Sequence, residues 1–404
     1  MASRTKPLHG EKAANLEHGR GPHLLHVFPT FAVGGVQVRM ASILNHLGDL
    51  NRHTIVALDG NFGARTRLAE TCAAEFIDPG CSGLSLPSRH RAIRHLLRTR
   101  RPDLLLTYNW GAIEWALANR FRPLCRHIHL ESGFGVEEAL RQVPRRVWMR
   151  RIALRNISRL IVPSRTLVDI ATRIWRLGPE KVVHIPNGVD CDKFGQEPTA
   201  GAAPGFEKRA GELIVGTIAP LRREKNLPRL VRAFSRLDRH RPVRLLIVGD
   251  GPERASLETE IQVLDIADKV ILAGHVEAPE QVIGWFDIHA LSSDTEQMPN
   301  TVLQAMAAGK PVAGLRVGDV GDVVSPENRP LIAAAGDGAG LAANLSRLLA
   351  DRTLRERIGR ANTRHVRAHY DQARMFQSYG EALGLLPPDR SALAVDGDKI
   401  TASA

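Results

Sequence analysis

Aromatic residues make up only 5% of the 404-residue chain. Base-stacking platforms for single-stranded nucleic acid are therefore scarce. Cysteine is scarce as well, and Cys72, Cys81, Cys125 and Cys191 share no ligand spacing. That argues against a disulfide framework or a zinc site and suits a reducing compartment. No apolar run reaches the roughly 18 residues of a membrane span. The opening MASRTKPLHGEKAANLEHGRG lacks the apolar core of a signal peptide, so a cytoplasmic location is expected. Between Ala139 and Val168 acidic residues are missing altogether, while Arg141, Arg145, Arg146, Arg150, Arg151, Arg155, Arg159 and Arg165 all fall there.

What is present is ordinary for a soluble chain of two domains: 43% apolar, 24% charged. The net charge of +12 favours phosphates, nucleic acid or anionic membranes without choosing among them. Strand-like runs alternate with helical patterns twice over, from HLLHVFPT (23–30) to VVHIPNG (182–188) and from LIVGTIA (213–219) to PLIAAA (330–335). The predicted fold class is α/β, two Rossmann-like, doubly wound domains in tandem facing a central cleft. The expected boundaries are a disordered basic tail at 1–22, an N-terminal domain at 23–194 and a Gly/Ala/Pro-rich linker at 195–212. A C-terminal domain at 213–370, a last helix at 371–387 crossing back to the first domain, and a tail at 388–404 complete the chain. Ligands of such folds bind beyond the carboxyl ends of the strands.

Four loops could carry chemistry. VGGVQ (33–37) follows the first strand, and Gly34 and Gly35 let backbone N–H groups approach a phosphate or sugar at a helix start. The full G-x-G-x-x-G pattern is absent, which disfavours a nicotinamide dehydrogenase. In IAPLRREKN (218–226), Arg222, Arg223 and Lys225 cluster where a strand hands over to a helix and suit a diphosphate. Gly249 and Gly251 in VGDGPERASLE (248–258) permit a sharp bend. The richest is TEQMPNTVLQAMAAGKP (295–311). Glu296 precedes a helix start at Pro299-Asn300, where the free N–H groups suit an anion, and Gln304 lies one turn further, expected to face the same pocket. DCD (190–192) matches a D-x-D metal signature but is read as structural.

GTIAPLRREKN, LLIVGDGPERASLE, AGHVEAPEQVIGWFDIHALSSDTEQMPNTVLQAMAAGKPV and VPSRTLVDIA with IPNGVDCDKF together resemble the GT-B glycosyltransferases of family 4, over about residues 23–385. The resemblance implies a retaining, metal-independent transferase with a nucleotide-sugar donor, expected to be a UDP-sugar, as co-substrate and no cofactor. It implies that Glu296 contacts donor-sugar hydroxyls and that Met298, Pro299, Asn300, Thr301 and Val302 form the helix start that meets the diphosphate. Lys225 matches the phosphate-binding Lys, Gln304 the residue that binds the ribose, and Gly34 and Gly35 the glycine-rich loop. Three positions depart from the pattern. Gln304 replaces a Glu. Pro220 stands where many relatives carry an Arg, which Arg222 or Arg223 would replace. Ser132 holds the position of a frequent His, with His129 and Glu131 as alternatives; His127 and His129 share a face of their strand.

These readings predict transfer to a glycan or lipid-linked acceptor in cell-surface polysaccharide biosynthesis, with the basic stretch Arg141–Arg165 lying on an anionic inner membrane face. No nucleic-acid partner is expected. The alternative is a non-catalytic, sugar-nucleotide-binding scaffold of a polysaccharide assembly complex, motivated by Gln304 and Pro220.

Overall fold

The computed structural model describes residues 21–387 apart from 49–50, 82, 135, 139–140 and 239. The expected tails at 1–22 and 388–404 thus lie outside the described residues, Gly21 and Pro22 excepted.

Two all-parallel sheets carry the chain. The first has strands β1 (His23–Phe28), β2 (Arg52–Ala57), β3 (Ala74–Ile77), β4 (Leu104–Tyr108), β5 (Arg126–Leu130), β6 (Arg159–Val162) and β7 (Val182–His184), in the order β3-β2-β1-β4-β5-β6-β7. The second has β8 (Leu213–Ile218), β9 (Val243–Val248), β10 (Val270–Gly274), β11 (Ile288–Leu291), β12 (Val312–Leu315) and β13 (Ile332–Ala333), in the order β10-β9-β8-β11-β12-β13. Runs such as Leu245-Leu246-Ile247-Val248 are buried on both faces, as strands of a parallel sheet covered by helices must be. In each sheet the winding reverses at its centre, between β1 and β4 and between β8 and β11. The loops that leave β1, β8 and β11 therefore open at the two switch points.

Five helices border the cleft or join the domains: α1 (Gly35–Leu47), α2 (Pro144–Ala153), α3 (Leu227–Ser235), α4 (Asn300–Ala307) and α5 (Gln372–Leu383). Helix α5 returns to the first sheet, where Met375, Phe376, Tyr379 and Leu383 share a core with Leu24, Phe28 and Met40. The segment expected as a linker is placed differently. Val189, Cys191 and Phe194 already belong to the core of the second domain, and so do Ala203 and Phe206 from the Gly/Ala/Pro-rich stretch. Residues 195–212 thus pack onto the second sheet, held by Thr199 N–H donating to Gln281 O at 2.8 Å. The chain passes between domains earlier, beside its own return. Val189 bridges Asp371, with N–H···O bonds of 2.9 Å to Tyr370 and 3.0 Å from Gln372. Gly188 makes the approach possible, since a Cβ there would sit 2.7 Å from the Gln372 Cα.

The first sheet holds an unusual set of buried imidazoles. His26 bonds the Tyr108 hydroxyl through Nδ1 at 2.9 Å and the His53 Nδ1 through Nε2 at 3.1 Å. His127 and His129 both bond the Thr107 hydroxyl, at 2.8 and 2.7 Å. In the second sheet both ring nitrogens of His289 are buried without a partner. Burial pushes His53 and His289 down from 6.5 to about 4, the charge of His23 adding to the shift at His53. Burial, then the charge of His129, takes His127 to about 3. The unfolded chain binds protons below pH 6.5 that the folded chain does not. This share of the stability is complete above pH 6.5 and drains away as pH falls toward 3. Urea titrations should show an unfolding free energy that drops by several kcal/mol across that window, at about 1.4 kcal/mol per pKa unit per group. His289→Leu, which removes two unpartnered nitrogens, should flatten the slope while changing stability at pH 7.5 by less than about 1.5 kcal/mol.

Candidate active site

The loops from β8 and β11 and the start of α4 line one side of a cavity of about 420 Å³, and Gly35, Arg39, Ser132 and Asn187 line the other. Its centre is an ion pair. Lys225 Nζ lies 2.5 Å from Glu296 Oε1, and the Ser293 hydroxyl donates to the same oxygen at 2.7 Å. Each partner is set from behind. The Ser292 hydroxyl donates to Lys225 O at 2.9 Å. Asn226, at φ 42°, turns the chain sharply, accepts from Arg229 N–H at 3.2 Å to cap α3, and donates to Asp294 at 2.9 Å. Arg229 closes the ring on Asp294 at 2.6 Å and on Ser292 O at 3.0 Å. Left-handed backbone at a non-glycine residue is tolerated best at Asn.

Met298, Pro299, Asn300 and Thr301 line the same cavity. Pro299 has the extended backbone of a cap, and α4 begins at Asn300, whose Oδ1 is buried without a partner. A helix leaves its first N–H groups unpaired and carries about half a positive charge at that end. Arg222 also lines the cavity, beside Pro220.

Several expected members lie elsewhere. Arg223 is exposed and outside the lining. Gly34 caps α1 without lining the cavity, and only Gly35 reaches it. Gly249 is architectural: at φ 139° its missing Cβ would stand 1.9 Å from Ala219 O. Val302 is fully buried and its N–H bonds Pro299 O at 3.2 Å. Gln304 faces a neighbouring cavity of about 430 Å³ with Val38, His275 and Glu277, separated from Glu296 by Gly35, Arg39 and Asn300, which border both. The second polar position is thus one compartment away, because the residue four after Asn300 faces the next stretch of cleft.

His129 does not reach the cleft. It is wholly buried with His127 on Thr107, and its Nε2 stands 4.0 Å from the buried Glu131. Ser132 lines the cavity instead and accepts from Arg39 at 2.6 Å. Asp190 caps a short helix by accepting from Lys193 N–H at 2.9 Å, and Asp192 pairs with Arg367 at 2.8 Å. Arg39 and Asn187 were missed from sequence. Arg39 donates to Asn187 Oδ1 as well as to Ser132, and Asn187 Nδ2 donates to Met298 O at 2.9 Å. A cation one turn after Gly35 on α1 was the available signal for Arg39, since residues i and i+4 share a helix face.

A third cavity, of about 880 Å³, continues past Glu296 toward the basic stretch. Trp148, 63% exposed, forms its wall with Val147, Ile170 and Ile174, and Arg141 and Arg151 stand at its rim. The stretch is less cationic at its surface than its sequence implies. Arg150 is buried, gripped by Glu138 through two bonds of 2.9 Å and flanked by Trp110, Phe134 and Trp175 rings at 4.9–5.3 Å. Burial pushes the Glu138 carboxyl up, but the bonds and charge of Arg150 outweigh it and hold it below its ordinary range. Arg146 is spent on Glu137 and Glu138, and Arg151 on Ile174 O at 2.7 Å.

The model of Glycosyltransferase Family 4 matches residues 33–193, and that of Glycosyl transferases group 1 matches 203–365. The chain is a GT-B glycosyltransferase of the family 4 type. It is 25% identical to the 2-deoxystreptamine N-acetyl-D-glucosaminyltransferase of Streptomyces fradiae, over 77% of this chain and 81% of that protein. It is 28% identical to the N-acetyl-alpha-D-glucosaminyl L-malate synthase of Bacillus anthracis, over 42% of this chain. Two of the curated relatives are matched over only about half their length, 44% and 54%. In fold, this glycosyltransferase superposes on Anabaena HepE in complex with UDP and glucose with a TM-score of 0.77 at 17% identity, covering 91% of this chain and all of that one. Sucrose-phosphate synthase from Thermosynechococcus elongatus gives 0.76 at 20% identity, covering 93% of this chain and 100% of that one.

Arg150→Met should leave Glu138 with Arg146 as its one cation and the fully buried Glu131 with none, and cost about 3–5 kcal/mol in urea unfolding. Arg155→Met, at an exposed position of the same basic stretch, should cost less than about 0.5 kcal/mol.

Proposed function

We propose that this glycosyltransferase moves a hexosyl group, with retention, from a UDP-sugar to a hydroxyl of a glycan or lipid-linked acceptor in cell-surface polysaccharide biosynthesis. The observation that carries the proposal is the Lys225–Glu296 pair at the joint of the cavities. The carboxylate faces both the 420 Å³ cavity and the 880 Å³ cavity, while Lys225, Arg222 and the start of α4 line only the former. A donor laid along this row would put its nucleoside beside Gln304, its diphosphate against the cations and the helix start, and its sugar hydroxyls on Glu296. Entering diphosphate would draw Lys225 away from Glu296 and free that carboxylate to accept from the sugar.

The acceptor would approach from the 880 Å³ cavity, where Trp148 and Ile174 offer an apolar wall beside two arginines. Its oxygen bonds to the anomeric carbon as the bond from that carbon to the diphosphate oxygen breaks. The acceptor proton passes to the departing diphosphate, whose negative charge Lys225, Arg222 and the helix dipole stabilise. Preorganised donors of this kind contribute several kcal/mol. No metal ion is needed for this charge balance, and EDTA should leave the rate unchanged. Exposed Arg141, Arg145 and Trp148 would rest on an anionic membrane surface at the inner face.

Thermal shift with UDP should raise the melting temperature of the wild type, because a ligand that binds only the folded state stabilises it by mass action. Lys225→Ala should weaken UDP about 10- to 100-fold, the worth of a hydrogen bond to a charged group. Glu296→Gln should keep UDP affinity within about threefold yet lose transfer, because its contacts are to the sugar. Unchanged transfer by Glu296→Gln would remove the assigned site. Gln304→Glu should bind UDP more tightly, since a charged acceptor strengthens a ribose hydrogen bond; no change would take the nucleoside out of the 430 Å³ cavity.

A further inference from the structure

Asp319 belongs to the second domain, but its carboxylate bonds in the first. It is 6% exposed and sits in the turn after β12. Its Oδ2 accepts from Arg165 N–H at 2.6 Å, and its Oδ1 accepts from Thr166 N–H at 3.1 Å and from the Thr166 hydroxyl at 2.7 Å. These three donors stand at the head of the helical stretch that starts at Arg165 behind β6 and continues to Ile174. A carboxylate there takes up unpaired helix donors and meets the positive end of the helix dipole. Bonds from N–H or O–H groups to an ionised carboxylate are about twice as strong as neutral ones.

The other side of Asp319 is tied to the donor-sugar loop. Its N–H donates to Gln297 O at 3.0 Å. The preceding Gly318, at φ 51°, lies so close that a Cβ there would stand 2.1 Å from Glu296 O. Gln297 repeats the crossing, since its Oε1 accepts from the Ser164 hydroxyl at 3.1 Å, and Ser164 in turn caps Leu167 N–H at 3.1 Å. The backbone from Glu296 to Gln297 thus leans on residues whose partners lie in the opposite domain.

We propose that Asp319 is a positioning residue that couples closure of the two domains to the placement of Glu296. The domains meet here only when the head of the 165–174 helix seats on the Asp319 carboxylate, and that seating fixes the Gly318–Asp319 turn against which the 296–297 backbone is packed. Separation of the domains releases the carboxylate and loosens the loop. The catalytic meaning of the coupling rests on the reading of Glu296 as the donor-sugar contact; the coupling itself does not.

Hydrogen–deuterium exchange on the full-length, ligand-free protein tests it across the domain boundary. Thr166→Val removes one hydroxyl in the first domain and leaves Asp319 intact. It should raise exchange of the 294–298 peptide, in the second domain, by about tenfold. Asp319→Ala should raise it further, and Asp319→Asn, which keeps an acceptor oxygen, should fall between that variant and the wild type. Small-angle scattering of Thr166→Val and Asp319→Ala should show a larger radius of gyration. Faster exchange confined to 164–168, with 294–298 as in the wild type, would reduce Asp319 to a helix cap and overturn the proposal. If Asp319→Ala does not fold, Thr166→Val decides alone. In a transfer assay Thr166→Val should lower kcat about tenfold with UDP affinity unchanged; a fall in UDP affinity alone would overturn the link to Glu296. Failure of all transfer by the wild type would count against the functional reading while leaving the exchange result standing.

Discussion

The ion pair between Lys225 and Glu296 is the contact on which the cleft is organised. Its two members come from loops after different strands, β8 and β11, that are neighbours at the sheet's centre only because the winding reverses there. Bringing them to 2.5 Å requires the left-handed turn at Asn226, the ring of Arg229 and Asp294, and the serine pair 292–293. The pair also sets opposite charges side by side in the wall of one cavity, which is what the proposed diphosphate and sugar contacts draw on. Asn226, Arg229, Asp294 and the serine pair 292–293 are accounted for by this one requirement.

Most of the fold was legible because parallel strands, buried on both faces, appear as unbroken apolar runs, and because Gly, Pro and charged residues punctuate the loops between them. Glu296, Lys225, Arg222 and the start of α4 sit in loops of that kind and line one cavity, but it was the family resemblance that singled them out. The errors have identifiable causes. Side-chain alternation correctly puts His127 and His129 on one face of β5, but it does not say which layer covers that face, and both turn to Thr107 in the interior. Gln304 was placed by helical period, which fixes direction around α4 and leaves open where one compartment of a cleft ends. The 195–212 stretch has the composition of a linker, yet two apolar residues, Ala203 and Phe206, anchor it in a core.

The basic stretch offers a different lesson. A window free of acidic residues suggests a solvated positive face, but charge compensation works through space. Glu138, just before the window, neutralises Arg150, and three aromatic rings seal the pair. Neither partner reads as buried by itself, because Glu and Arg are almost never fully buried unless paired. The asymmetry between Arg39 and Arg223 has the same origin. Both are charged and near glycine-rich or basic loops, and only tertiary placement brings one into the cleft and leaves the other in water.

The side-by-side passages at Val189 and Asp371 also set a mechanical rule for the cleft. Two crossings bonded to one another define an axle rather than a swivel, since two adjacent attachments suppress twisting about either one. That axle borders the compartment of Gln304, whose lining includes Gly188, Val189 and Gln372. The compartments then run outward in a row to the large cavity beside Thr166 and Gly318. Displacement under rotation grows with distance from the axis. A rotation about these crossings would therefore move the Trp148 wall further than the compartment of Gln304, which lies against them.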